Sequence, residues 1–402
     1  MRPFAGEVTP ALEAKVAEAW MSVLGQADAI ADDICLSLLE KDADVYERTG
    51  PELQGDVRAS TRDHIRRGIE AMAGVDNATH ATAELWRETG RRRARQGIPM
   101  EVVLNAYTLG TRLLWEALLA QGAQDNVDEQ VLLVAGQQVW SALDVQNAVF
   151  IEAYRRESVR LDRRDLQRQQ STLDALAEGR GADPDFATGA REVLGIGPEA
   201  AVACVVAPYD GSLDEPLIAP TDRLERHSIT SHWHVRGGLY FGLLAGDLPR
   251  DDELAQLLAP LATGRAAVAS SPDGVAGFAT AFLLAARACE TLPAGEPCVV
   301  AVSRRLPEVL LAGSPEIAAL VVRETVAPIL AQPSHVAETL HQTLAALLEH
   351  DGSAKHAAEA LYCHRNTVIY RAKQIEELTG RSLSTPRDKL LLELGLLAAR
   401  AD

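Results

Sequence analysis

Cysteine is scarce and never paired. The chain of 402 residues holds five (Cys35, Cys204, Cys289, Cys298 and Cys363), with no C-x-x-C spacing. That excludes a disulfide framework and the usual zinc-ribbon ligand pattern, and leaves thiols expected to be reduced and mostly buried. No run of eighteen apolar residues exists, and the opening MRPFAGEVTP lacks a signal-peptide core. A soluble, cytoplasmic chain with no membrane partner is therefore expected. G-x-S-x-G is missing, which removes nucleophile-elbow hydrolases. Positive charge is in deficit: 57 acids against 39 lysines and arginines give a formal charge of −18, which argues against nucleic-acid binding by the chain as a whole. The length predicts two or three domains.

The last seventy residues run against that charge balance. From His341 the chain reads HQTLAALLEHDGSAKHAAEALYCHRNTVIYRAKQIEELTG. A short helix is expected from about Ser353 to Leu361, where the small pair Ala357-Ala358 lets a second helix cross closely. The turn Tyr362-Cys363-His364 follows, then a longer helix closed at Thr379-Gly380. Val368, Ala372 and Ile375 form its expected buried stripe. Asn366, Tyr370 and Lys373 lie opposite, with Thr367 and Arg371 on the flank. His364 to Lys373 holds three basic residues and no acid, a local face suited to DNA on an otherwise acidic chain. Asn366 has the donor and acceptor to pair with adenine, and Arg365 or Arg371 can reach guanine or a phosphate. Thr367 and Tyr370 suit phosphate oxygens or a thymine methyl, and Lys355 and Lys373 suit phosphates. His364 and Asn366 have a second reading, as caps of the helix N-terminus.

The run H-R-N-T-V-I-Y-R, preceded by A-A-x-x-L and followed by I-E-E-L-T-G, resembles the C-terminal helix-turn-helix of PucR/CdaR-type bacterial transcription regulators. The resemblance spans Leu340 to Leu397 and includes a closing helix from Asp388 to Ala399. It implies double-stranded DNA as partner, read by a homodimer on paired half-sites.

Residues 10–155 read as helical throughout: Glu13–Leu24, Ala27–Glu40, Leu53–Ala73, His80–Arg95, Pro99–Ala120 and Asp128–Arg155. Four of five tryptophans (Trp20, Trp86, Trp115, Trp140) fall here and predict a substantial core. Tyr107 and Trp115, on one helix, are expected in it. The pieces R-x-Q-G-I-P, A-Y-x-x-G and L-W-E resemble the N-terminal helical domain of RsbT co-antagonist proteins, over residues 12–155. That resemblance implies a sensor or interaction module, open to a small-molecule effector or a protein partner, with no catalytic residues. Arg91, Arg92, Arg93, Arg95 and Arg112 can be read as an anion pocket or as a solvated helix end offsetting its dipole; the second reading is favoured. His64 and His80 have no ligand spacing, so neither haem nor metal is expected, and no cofactor at all.

From Arg155 to Gly179 the chain is densely charged. Val159, Asp162, Leu166, Gln169, Leu173 and Leu176 follow coiled-coil spacing, though only four are apolar. Either a weak coiled coil that helps a homodimer form or a solvated connecting helix fits. Strand-helix alternation with a central hairpin then predicts an α/β domain of two or three layers over 181–305. The hairpin H-V-R-G-G-L-Y-F-G-L-L, with A-V-A-S-S-P-D-G-V-A-G-F and A-A-R-A-C-E, resembles the degenerate GGDEF-like domain of the same regulators. A diguanylate cyclase needs two acids after the glycine pair, and Leu239 and Tyr240 stand there, so no enzyme is expected. Nucleotide binding without turnover stays open. His227, His232 and His234 cluster near one strand, with His232 and His234 on one face, but lack the further ligands a zinc site needs.

The expected fold is thus multi-domain and mainly α: an all-α N-terminal helical bundle (1–155), a helical, coiled-coil-like linker (156–180), an α/β (degenerate GGDEF-like) middle domain (181–305), a helical hinge (306–340) and a C-terminal helix-turn-helix (341–402). Pro328 and Pro333 interrupt the hinge, which is expected to set the spacing of two recognition helices. The expected function is a sequence-specific DNA-binding transcription regulator that answers to a ligand or partner. The rival is a stress-signalling interaction protein acting through residues 12–155.

Overall fold

A computed structural model of the chain describes residues 9–41, 50–75, 78–211 and 215–399. The outer ends of the first and last expected domains, 1–8 and 400–402, lie outside the described residues. The chain forms two compact units, Met1–Leu166 and Gln167–Asp402.

The first unit is all helical: α1 Pro10–Ser22, α2 Ala27–Lys41, α3 Gly50–Met72, α4 Ala78–Arg95, α5 Met100–Gln124 and most of α6 Glu129–Ala177. Trp20, Ile34, Ile69, Ile98, Leu118 and Phe150 are its largest fully enclosed side chains. The indole N–H of Trp20 donates to Gln138 Oε1 at 3.1 Å, which satisfies the one polar atom that ring brings inside. The other tryptophans contribute less than expected. Trp115 packs only partly against the core, Trp86 is half-buried, and Trp140 is 46 % exposed.

Helix α6 does not stop at Arg155. It runs 49 residues, because no glycine or proline lies between Gly136 and Gly179. The expected linker is therefore its C-terminal part. The heptad pattern there is divided: Val159 and Leu166 are 48 % and 52 % exposed, whereas Leu173 and Leu176 are buried in the core of the α/β domain. A leucine at heptad spacing packs as readily on a sheet as on a partner helix, so the spacing overstated the seam.

The α/β domain opens with α7 Pro184–Leu194, whose cap Asp183 accepts from the backbone N–H of Asp185 at 3.0 Å. Its five-stranded sheet has the order β2-β3-β1-β4-β5, with β1 Ala201–Pro208, β2 Thr230–Arg236, β3 Leu239–Gly246, β4 Arg265–Ser271 and β5 Cys298–Ala301. Only β4 and β5 pair in parallel. Side chains alternate across β1. Val202, Cys204 and Val206 join α7, the end of α6 and α10 Phe278–Glu290; Ala203 and Val205 join α8 Pro220–Glu225 and α9 Asp251–Leu258. The domain is therefore three-layered. The β2–β3 turn is made by Gly237 and Gly238 at φ 56° and 78°, a pair of left-handed conformations that a two-residue hairpin of this twist requires.

Seven helices complete the chain: α11 Leu306–Ala312, α12 Pro315–Thr325, α13 Ala327–Leu330, α14 Ser334–Glu349, α15 Ala354–Ala360, α16 Arg365–Thr379 and α17 Pro386–Ala399. Pro315 and Pro328 occupy first-turn positions, where the missing N–H costs nothing. The segment expected as a hinge is packed. Val326 and Ile329 are fully buried beside Leu340, Leu344, Ile375, Leu392 and Leu396. Its apolar residues read as a hinge in sequence because their partners lie up to seventy residues away.

Candidate nucleic-acid interface

Helices α15 and α16 meet through Ala357 and Ala358, which are buried together with Val368 in one small cluster. Ser353 caps α15 by accepting from His356 N–H at 3.4 Å. The chain reverses over Leu361–His364, where Cys363 N–H returns to Ala358 O at 3.0 Å. Tyr362 takes a left-handed conformation (φ 51°) and is 98 % exposed. At the start of α16, His364 Nδ1 accepts from the backbone N–H of Asn366 at 3.2 Å. His364 is therefore the cap, which leaves the Asn366 side chain free of that duty. Gly380, at φ 64°, ends the helix.

The first half of α16 sorts its side chains cleanly. Val368 and Ile375 face the core; Arg365, Asn366, Tyr370 and Lys373 are exposed; Thr367, Arg371 and Ala372 are half-buried. Lys355 is exposed on α15, as is the His364 ring at the cap. Lys355, Arg365 and Lys373 make no ion pair among the described residues, so three cations share this end of the domain uncompensated. Arg371 is placed differently from the others: its Nη1 donates to Thr343 Oγ1 of α14 at 3.4 Å. It ties the helix to its support. Tyr362 lay in a turn and was not singled out by periodicity, yet its ring stands in solvent at the same helix end.

The far end of α16 is fixed by acids. Glu376 Oε1 accepts from Leu383 N–H at 2.8 Å and from Ser382 Oγ at 3.1 Å, and Asp388 accepts from Ser382 N–H at 3.2 Å. Lys389 bonds Asp351 at 2.8 Å and holds that carboxyl below the usual carboxylate range. Glu376 and Asp388 thus hold the loop that follows α16.

Comparison with known proteins matches residues 340–398 to the PucR C-terminal helix-turn-helix domain. Residues 28–169 match the RsbT co-antagonist protein rsbRD N-terminal domain, and residues 178–291 the GGDEF-like domain. This chain carries RsbRD N-terminal, GGDEF-like and PucR helix-turn-helix domains. The chain is also 45 % identical over 53 residues to the purine catabolism regulatory protein of Bacillus subtilis (strain 168), a stretch covering 13 % of this chain and 10 % of that protein. The chain thus matches about a tenth of that relative's length. The crystal structure of a regulator of polyketide synthase expression from Bifidobacterium adolescentis aligns over 58 % of this chain and 92 % of that one, at 20 % identity and a TM-score of 0.28, too low to support a common fold.

Elsewhere in the chain, the other candidate sites are committed internally. Arg91 pairs with Glu84 (2.8 Å) and Glu88 (2.9 Å), Arg92 and Arg93 with Asp56 (2.9 and 2.7 Å), and Arg95 with Glu157 (2.7 Å). The arginine cluster is neutralised by carboxylates, so the anion pocket is not formed. His232 Nε2 lies 2.7 Å from Leu194 O, and His234 Nε2 lies 3.3 Å from Asp174 Oδ2. Among the described residues no three His, Cys, Asp or Glu side chains converge as a metal site, and no helix is long and apolar enough to cross a membrane. Tyr240, where a cyclase would carry an acid, is buried and stacks on Trp233 with ring centroids 5.1 Å apart.

Proposed function

We propose that the protein is a sequence-specific, DNA-binding transcription regulator of the PucR/CdaR type, non-enzymatic, acting as a homodimer in the cytoplasm and answering to a ligand or partner at its N-terminal domain. The observation that carries this reading is the exposed set Arg365, Asn366, Tyr370 and Lys373 at the tip of a capped helix, held by two alanines against the preceding one. An N-terminal helix tip of this kind enters the major groove and presents its first turns to base edges. Asn366 reads adenine and Arg365 guanine; Lys355, His364 through its Nε2, Thr367, Tyr370 and Lys373 hold the backbone. Arg371 steers the helix through Thr343 and contributes field more than direct contact. Val159 and Leu166, exposed on α6, are the residues proposed to meet a second copy.

Selection of genomic fragments, at stated salt, by wild-type protein beside Asn366→Ala and Lys373→Ala tests it. Asn366→Ala is expected to cost about 1–3 kcal/mol at one base position and to relax specificity there. Lys373→Ala is expected to weaken all sequences alike and to lower the salt slope by about one. Fragments selected equally by all three proteins would sink the reading and favour an interaction protein acting through the rsbRD-type domain.

A further inference from the structure

The helical unit contains a cavity of about 490 Å³ between α3, α4, α5 and α6. That is the size of a site for a small organic molecule. Most of its wall is aliphatic or aromatic, with Ile65, Met72, Trp86, Val103, Leu114 and Val139 among the lining side chains. Gln138, Ser141 and Gln146 line it from α6, and a second polar group gathers around His64. His64 Nδ1 lies 2.6 Å from Ser60 O, so that nitrogen carries the hydrogen and Nε2 is left with a lone pair. Two hydroxyls converge on that lone pair, Thr89 Oγ1 at 3.3 Å and Tyr107 Oη at 3.4 Å, and the Tyr107 hydroxyl is also bonded by the Gln146 side chain. One acceptor cannot serve both donors at once. A ligand oxygen can take over one of them without leaving any of the three groups unpaired.

Charge is balanced within the wall. Among the described residues the one ionised lining side chain is Arg93, and it is spent on Asp56 Oδ2 (2.7 Å), Gln96 (2.6 Å) and Ser60 Oγ (2.7 Å). An anion or cation would enter with no partner left for it and would lose its hydration. We infer that this cavity binds an uncharged, mainly apolar small molecule bearing one hydrogen-bond acceptor, which takes the Thr89 hydroxyl while Tyr107 stays on His64. Its role as the signal for DNA binding rests on the function proposed above; binding itself does not.

The wall supplies its own test variant. Gly68 lines the cavity on α3, and a β-carbon there would meet nothing within 4 Å. Gly68→Phe therefore projects a ring into the space, while Gly68→Ala alters helix propensity with almost no volume. Both should fold at least as well as wild type, since glycine is a poor helix former. The full chain is titrated with Nile red, an uncharged dye carrying a carbonyl, and the bound dye is then displaced at pH 7.5 by 2-undecanone or by undecanoate at equal concentration. We expect saturable one-site binding with blue-shifted emission, retained in Gly68→Ala and weakened at least about tenfold in Gly68→Phe, as an overfilled site demands. Displacement by the ketone should need at least about tenfold less ligand than by the carboxylate. Unchanged binding in Gly68→Phe would overturn the site, and equal or better displacement by undecanoate would overturn the ligand class. No DNA is present in the titration, so its failure leaves the regulator reading standing, and failure of the fragment selection leaves the cavity standing.

Discussion

Gly395 lies directly against Thr325: a β-carbon at position 395 would stand 2.0 Å from the Thr325 hydroxyl oxygen. The contact brings α17, the closing helix of the DNA-binding domain, onto α12, and Thr325 is itself 1 % exposed. Gly395→Ala should destabilise the domain by about 1–3 kcal/mol through overpacking, despite the better helix propensity of alanine. Removing the obstructing groups in Gly395→Ala/Thr325→Ala should recover part of that loss. Urea unfolding of the three proteins measures both steps, and strictly additive losses would contradict the contact.

Tyr362 pays for its position in backbone strain. A non-glycine residue in the left-handed region costs about 1–2 kcal/mol, and asparagine tolerates it better than an aromatic does. With 98 % of its surface exposed, Tyr362 loses no packing on replacement. Tyr362→Asn should therefore raise stability by about 0.5–1 kcal/mol. The same variant should bind DNA less tightly, because the ring stands beside the exposed tip of α16. Thermal unfolding and a binding isotherm on one selected fragment read the two effects separately; unchanged affinity would place the ring outside the interface.

His64 gives the helical unit a pH dependence of known sign. Burial, with Arg92 and Arg93 nearby, lowers its pKa from 6.5 to about 4, against the opposing pull of Ser60 O and Asp63. Between those values the unfolded chain binds the proton and the folded one does not. Stability is thus complete above about pH 6.5 and falls as the pH drops toward 4, by about 2 kcal/mol between pH 6.5 and 5. Urea midpoints at pH 7.5, 6.5 and 5 for wild type and His64→Gln would show it as a flatter profile in the variant.

The thiols should separate into two classes. Burial pushes Cys289 up to about 12 and Cys204 well above its ordinary value, and raises Cys35 as well. Cys298 and Cys363 are half-buried. A disulfide-exchange reagent at pH 8 should modify these two in the native protein and the other three only after unfolding. Cys363 sits in the turn before the α16 tip, so bound DNA should slow its reaction while leaving Cys298 unaffected.

The helix-turn-helix tip was legible because its signals are local. The alanine pair, the turn, Val368 and Ile375, and the glycine that ends the helix lie within some twenty-five residues of one another, and each forecasts its neighbour's position. The strands were legible for the same reason, as short β-branched runs between breakers. What sequence did not disclose depended on distant partners. Leu173 and Leu176 carry coiled-coil spacing, but their fate was decided by Phe278 and its neighbours a hundred residues on. Val326 and Ile329 read as part of a hinge, and their packing depends on Leu392 and Leu396, far along the chain. The cavity draws His64, Thr89 and Tyr107 from three helices, so no single stretch of chain announces it. Arg371 could be placed on the flank of its helix, but Thr343, which holds it, comes from α14, two helices earlier.

The burial of Val326 and Ile329 also determines where the polypeptide can be cut. A fragment beginning at residue 341, where the motif begins by eye, would strip the lid from Leu340's neighbours and expose Leu344, Ile375, Leu392 and Leu396 to water. Such a fragment should aggregate however faithfully it preserves every residue proposed to touch DNA. The smallest portable reader of this protein starts ahead of α12, at or before Ser314, and any chimera that grafts the tip onto another sensor must carry those extra turns with it.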